Sequence, residues 1–172
     1  APRPFAVGVM LSETFGSSGK FSLINVTPNF NLSFNDKVQF FINNCDRIDL
    51  AVLQASILVS QIMPQLKRTI KMKGLLCPDT AIAEAYFDEI SSFVGVPPKT
   101  FYSSTETLVC SLPSAQHPLG FFLDWRRGIF EFIPIKNGNP DQNGVITIDA
   151  VKVGKIYQVI YTSLETELTR YD

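Results

Sequence analysis

The chain has 172 residues, 45% hydrophobic and 18% charged. That balance excludes a disordered chain and allows a single sizeable domain, either undivided or built in two sections. The formal net charge is −1 and no block of Lys or Arg occurs, so nothing indicates a nucleic-acid or anionic-membrane surface.

Cys45, Cys77 and Cys110 are an odd, widely spaced set without a CxxC, and His117 is the only histidine. This pattern argues against a structural zinc site or a disulfide framework and fits reduced thiols in a cytoplasm. Asn25-Val26-Thr27 and Asn31-Leu32-Ser33 match a glycosylation pattern that is common by chance. The first residues lack the charged start and apolar centre of a signal peptide. The most apolar stretch, Leu50 to Met63, is too short for a membrane span and carries Gln54, Ser56, Ser60 and Gln61. Fourteen Phe predict an aromatic-rich core.

In chain order, Phe5 to Met10 reads as a strand. The loop after it holds Thr14, Gly16, Ser17, Ser18, Gly19 and Lys20. Glycines let backbone N–H groups turn inward, hydroxyls add donors and Lys20 adds charge, so this loop can wrap a phosphate chain or serve as a plain hairpin turn. Its spacing is not that of a Walker loop. Phe21 to Val26 alternates as a strand. Asn29 or Asn31 is expected to cap a helix running to about Asn43, and Asp46 to cap another. In that second helix Ile48, Val52, Ala55, Val59 and Ile62 share a face, and Pro64 lies near the end. Lys67, Arg68, Lys71 and Lys73 read as a solvated helix end.

A short buried strand follows over 73–77 and breaks at Pro78-Asp79-Thr80, which caps the next helix. That helix carries Ile82, Ala85, Tyr86, Glu89, Ile90 and Phe93 at helical spacing. Gly95 and Pro97-Pro98 stop it. A strand over 99–102 then ends in Ser103-Ser104-Thr105-Glu106. Strand–helix–strand predicts a parallel pair with a right-handed crossover, with the Cys77-Pro78-Asp79-Thr80 and Ser103 to Glu106 loops at one sheet edge. Such an edge is where open α/β sheets bind ligands. There Tyr102 can offer a flat face to a planar ring, Thr105 a hydrogen bond to a phosphate oxygen, and Glu106 a carboxylate to Mg²⁺.

After residue 107 the pattern becomes antiparallel. Strands are predicted over 108–112, 120–123, 129–135, 145–148 and 156–162, with turns at Asn137-Gly138-Asn139-Pro140 and Gln142-Asn143-Gly144. Glu131, between Phe130 and Phe132, should face away from the core. His117 reads as a loop residue. The fold class expected is therefore α/β: a partly parallel sheet with packed helices over 1–107, then an antiparallel β section over 108–172.

Three stretches, in this order, resemble the acyl-adenylating (adenylate-forming) enzymes. Thr14-Phe15-Gly16-Ser17-Ser18-Gly19-Lys20 resembles their phosphate loop. Tyr102-Ser103-Ser104-Thr105-Glu106 resembles their Tyr-Gly-x-Thr-Glu signature, with Ser103 in place of Gly. Gly154 to Ser163 with Leu168-Thr169-Arg170-Tyr171 resembles the run leading to a ribose-binding Gly-Asp. Gly128 to Pro134 is similar to a Phe-Glu-Phe-Leu-Pro segment of the auxin-responsive acyl acid amido synthetases, which points to that branch or its microbial relatives.

The resemblance implies ATP-dependent activation of a small carboxylic acid, with transfer to an amine or thiol acceptor. It implies ATP/AMP and Mg²⁺ as cofactors, with no nucleic-acid or membrane partner. Thr14, Gly16, Ser17, Ser18, Gly19 and Lys20 would hold the β- and γ-phosphates. Tyr102 would stack on adenine near Cys77, Pro78 and Asp79, beside Ser103 and Ser104. Thr105 would touch the α-phosphate and Glu106 would bind the metal. Family members continue to the Gly-Asp and a small domain with a catalytic lysine, so this chain is expected to be a central fragment. The competing expectations are a non-catalytic adenine-nucleotide-binding module and a structural or interaction domain.

Overall fold

The computed structural model describes residues 33–104, 108–109, 111–141 and 144–164. The first helix, α1, spans Phe34–Asn44. Its cap is Ser33 rather than Asn29 or Asn31, which lie outside the described residues. The Ser33 hydroxyl accepts from the Asp36 N–H at 3.1 Å, and the Asp36 carboxylate accepts from the Ser33 N–H at 3.0 Å. This reciprocal pair satisfies donors the first turn leaves over. The Ser33 hydroxyl, then its backbone N–H, hold the Asp36 carboxyl below the usual carboxylate range.

The helix expected from Asp46 does not form there. Cys45–Arg47 is a 3₁₀ turn, and Leu50–Val52 is a strand, β1. Asp46 instead pairs with Arg68 at 2.7 Å on the surface. The helix, α2, begins later and covers 55–66 in three segments: Ala55–Ile57, a π-helical turn Leu58–Ile62, and Met63–Leu66. Pro64 explains the middle segment. Its ring has no N–H and crowds the carbonyl four residues back. The ladder widens just ahead of it, where the Met63 N–H reaches the Leu58 carbonyl. Pro64 thus deforms α2 without ending it. The end comes at Lys67, left-handed with φ 48°.

Of the basic run, only Lys67 caps a helix. Arg68, Lys71 and Lys73 are exposed on an extended segment, while Ile70 and Met72 alternate inward. Next come β2 (Gly74–Cys77), α3 (Thr80–Ala85), α4 (Phe87–Val94) and β3 (Lys99–Thr100). The single helix predicted over 80–94 thus breaks at Tyr86. Gly95, at φ 83°, ends α4 as expected.

The strands β1, β2 and β3 form a parallel sheet in that order, with Leu50 opposite Gly74 and Cys77 opposite Thr100. Helices crossing between parallel strands bury the sheet, and the buried residues show it. Ala55, Leu58 and Ile62 of α2, Leu75 and Cys77 of β2, and Ala83, Ile90 and Val94 share one core. That core is aliphatic, with Phe93 its one buried aromatic among the described residues.

The remainder is antiparallel. Strand β4 (Ser103–Ser104) pairs with β5 (Leu108–Val109), and β6 (Ser111–Pro113) with β7 (Phe121–Leu123). The long strand β8 (Gly128–Lys136) lies between β10 (Tyr157–Ser163) and β9 (Asn139–Pro140). Asn137 and Gly138, both at positive φ, make the two-residue turn between β8 and β9. The strand expected over 145–148 reduces to one bridge, Ile146 opposite Phe132, followed by a 3₁₀ turn at Ile148–Ala150. Phe130, Phe132 and Tyr161 form a second, aromatic core. Glu131 lies on the opposite face of β8 from Phe130 and Phe132, as expected from alternation. The chain is thus α/β, with helices, a three-stranded parallel sheet and antiparallel sheets. Among the described residues no helix is long and apolar enough to cross a membrane.

One close approach locks the second core. A Cβ at Gly128 would lie 2.3 Å from the Tyr161 ring and 2.5 Å from the Thr162 carbonyl oxygen. The Tyr161 hydroxyl donates to the Arg127 carbonyl at 2.9 Å, so the ring cannot swing away freely. Gly128→Ala is therefore expected to destabilise the fold by about 1–3 kcal/mol through overpacking. Urea unfolding followed by tryptophan fluorescence checks this, and an unchanged midpoint would refute it.

Candidate functional site

The carboxyl ends of β2 and β3 bring two of the sequence-predicted segments to one edge. Cys77 ends β2 opposite Thr100 of β3, and Tyr102 follows two residues later. Pro78 is exposed and Asp79 half-buried in the turn after β2.

Asp79 does not cap its own helix through its side chain. Its carboxylate accepts from the backbone N–H groups of Ala55 at 2.7 Å and Ser56 at 2.8 Å. These are first-turn donors of α2, which no carbonyl within the helix can reach. A carboxylate there also meets the positive end of the helix dipole. One loop at this sheet edge is therefore bolted to the start of a different helix. The Cys77 side chain is wholly buried beneath it. Burial first, and the Asp79 charge second, push the Cys77 thiol up to about 12. At neutral pH it is a protonated, inert filler of the core and no nucleophile.

Tyr102 is held by its backbone. Its N–H donates to the Ser111 hydroxyl, which donates back to the Tyr102 carbonyl at 3.1 Å. Ser111 itself is fully buried. The neighbouring residues are tied in the same direction. Thr100 donates through its hydroxyl to the Leu119 carbonyl at 2.9 Å, and the Lys99 ammonium to the Ser114 carbonyl at 2.7 Å. The last parallel strand is thus fastened to the β6–β7 ribbon. The Tyr102 ring, 38% exposed, stacks on Phe121 with centroids 6.3 Å apart and planes 21° from parallel. Beside the pair lies a half-open cavity of about 260 Å³, lined by Tyr102, Phe121, Leu123, Gln158 and Val159.

Cys77, Pro78 and Asp79 share the sheet edge with Tyr102 but are not among the lining residues of that cavity. Ser103 and Ser104 belong to β4, so the chain after Tyr102 turns into an antiparallel pair where a loop was expected. Thr14, Gly16, Ser17, Ser18, Gly19, Lys20, Thr105 and Glu106 lie outside the described residues. Among the described residues no three His, Cys, Asp or Glu side chains gather as a metal site would need. His117 is an exposed loop residue at a shallow depression it shares with Phe87, Pro118, Leu119 and Gly120, none of them titratable.

Sequence reasoning missed Ser111, Phe121 and Gln158. A serine inside a strand gives no sign that it serves a backbone nine residues away. Gln158 left a faint signal, as an amide between Tyr157 and the apolar pair Val159-Ile160.

Two outcomes follow from this geometry. Asp79→Ala should cost about 0.5–2 kcal/mol by uncapping α2, with Asp79→Asn losing less because its amide oxygen still accepts. Thermal melts of the two variants against the parent check the order. Native chain exposed to iodoacetamide at pH 7 should leave Cys77 unmodified, while denatured chain is alkylated there. Peptide mass mapping reads the difference, and rapid native labelling would contradict the buried, protonated thiol.

Compared with protein-family models, curated proteins and solved structures, the chain finds no match in any of the three.

Proposed function

We propose that this chain is the nucleotide-binding section of an adenylate-forming enzyme that activates a small carboxylic acid with ATP. The observation that carries the reading is the shared edge. Parallel strands β2 and β3 end side by side, and the aromatic ring of Tyr102 stands where that edge meets a cavity. The carboxyl edge of parallel strands is the usual ligand position in such sheets. A half-exposed aromatic next to a cavity suits a planar base.

In this reading Tyr102 stacks on adenine, and the Thr14 to Lys20 loop draws in the phosphates. A carboxylate oxygen of the substrate attacks the α-phosphorus. The new bond from the carboxylate oxygen to the α-phosphorus forms as the α-phosphorus–oxygen bond to pyrophosphate breaks. An amine or thiol acceptor then displaces AMP. Thr105 would contact the α-phosphate, and Glu106 is the residue assigned to Mg²⁺, which would neutralise phosphate charge. The protein's contribution is positioning and charge complementarity. The Ser111 clamp and the Asp79 bolt support that role, since both restrain the edge before any ligand arrives. Two buried free thiols, Cys45 and Cys77, support a reducing, cytoplasmic setting.

A second reading, nucleotide binding without turnover, draws on the apolar character of the cavity and on an Asp79 carboxylate already engaged by α2. Both readings predict binding of ATP and AMP, and pyrophosphate release on addition of a carboxylic acid separates them. Calorimetric titration of the chain with ATP and AMP, with and without Mg²⁺, is the direct test. Binding should be lost in Tyr102→Ala while the fold persists by circular dichroism. No binding at millimolar nucleotide would count against both readings.

A further inference from the structure

We propose that Gln158 reads the edge of the base that stacks at Tyr102, making it the residue that sets base preference. The inference rests on the nucleotide reading above and adds a role to that site. About 260 Å³ is smaller than the roughly 300–1,000 Å³ typical of whole-ligand pockets. It suits one planar ring, with sugar and phosphates left outside. Phe121, Leu123 and Val159 supply apolar wall, and the Tyr102 ring, stacked on Phe121, adds an aromatic face.

Gln158 is the only amide side chain in that lining. It sits on β10, at the edge of its sheet, half-buried. Among the described residues no hydrogen bond to its side chain is formed, whereas the Ser111 hydroxyl that holds the Tyr102 backbone is committed twice over. A primary amide offers one acceptor and one donor pair side by side. That pairing matches adenine, which presents an amino group next to a ring-nitrogen acceptor, and Gln–adenine pairs of this kind recur in base recognition. In an apolar lining, a base whose polar edge found no partner would be penalised, so one amide is enough to discriminate.

Charge and hydrogen-bond polarity give the test. Gln158→Leu keeps the volume and removes both partners. Gln158→Glu leaves acceptors only. A carboxylate can accept from the N1–H and amino group of guanine but repels the N1 lone pair of adenine. Titration of the chain with ATP and GTP is therefore run on the parent, Tyr102→Ala, Gln158→Leu and Gln158→Glu, each shown folded by its thermal melt. The parent should prefer ATP. Gln158→Leu should weaken ATP about tenfold or more. Gln158→Glu should weaken ATP and move the preference towards GTP. If Tyr102→Ala abolishes binding while folded Gln158→Leu and Gln158→Glu keep the parent's affinity and preference, this inference falls and the nucleotide reading stands. A parent chain that binds neither nucleotide overturns both.

Discussion

The Asp79 carboxylate on the first N–H groups of α2 is the contact on which the parallel half depends. It joins the turn after β2 to the turn after β1. The backbone does the same one step earlier, where the Leu53 N–H donates to the Leu76 carbonyl at 3.0 Å. Together they decide where β1 stops and α2 starts. That start determines which side chains of α2 reach the core, and Ala55, Leu58 and Ile62 arrive there fully buried. A helix beginning at Asp46, as its spacing invited, would have left β2 without a neighbour on that side. Pairing of β1 with β2 outweighs the local helical periodicity, a weak preference that tertiary contacts override.

The two halves differ in material. The parallel half is packed with aliphatic side chains from helices and strands, and the antiparallel half with Phe130, Phe132 and Tyr161. Tyr102 stands at their junction. Its backbone belongs to the end of the parallel sheet, and its ring to the β6–β7 ribbon. Ser111, Thr100 and Lys99 carry the joint through hydrogen bonds to main-chain groups. Such a seam is polar and directional, so it fixes the orientation of the ring more tightly than apolar packing alone would.

How much of this was legible depends on how locally each feature is encoded. Gly95 with Pro97-Pro98 punctuates the chain so strongly that β2, the helices after it and β3 could be placed, and with them the parallel pair. Asn137-Gly138 likewise announced its turn. The strand β1 was hidden, because apolar residues at 48, 52, 55, 59 and 62 imitate one helical face, and the break at Tyr86 was hidden by the continuous helical spacing of 82, 85, 86, 90 and 93. A three-residue strand is defined by its neighbour and not by its own composition. At the edge, Tyr102 and Asp79 were visible as residue types, but the partner of Asp79 lies 24 residues away and could not be read. The resemblance to adenylate-forming enzymes supplied roles for residues that lie mostly outside the described ones, so it remains a proposal carried by the Tyr102 edge.

The π-turn at Leu58–Ile62 leaves a mark of another kind. A turn closed five residues back holds one residue more than the α-helix around it, as a local insertion would. Because Pro64 needs the widened ladder, that extra residue is not surplus. Removing it would let the turn close as ordinary α-helix, with the later residues of α2 keeping their faces and the Pro64 ring again crowding the carbonyl four residues back. Relatives that lack the insertion would thus be expected to lack the proline too. The two would be gained or lost as a pair, so that an α2 helix would carry both or neither.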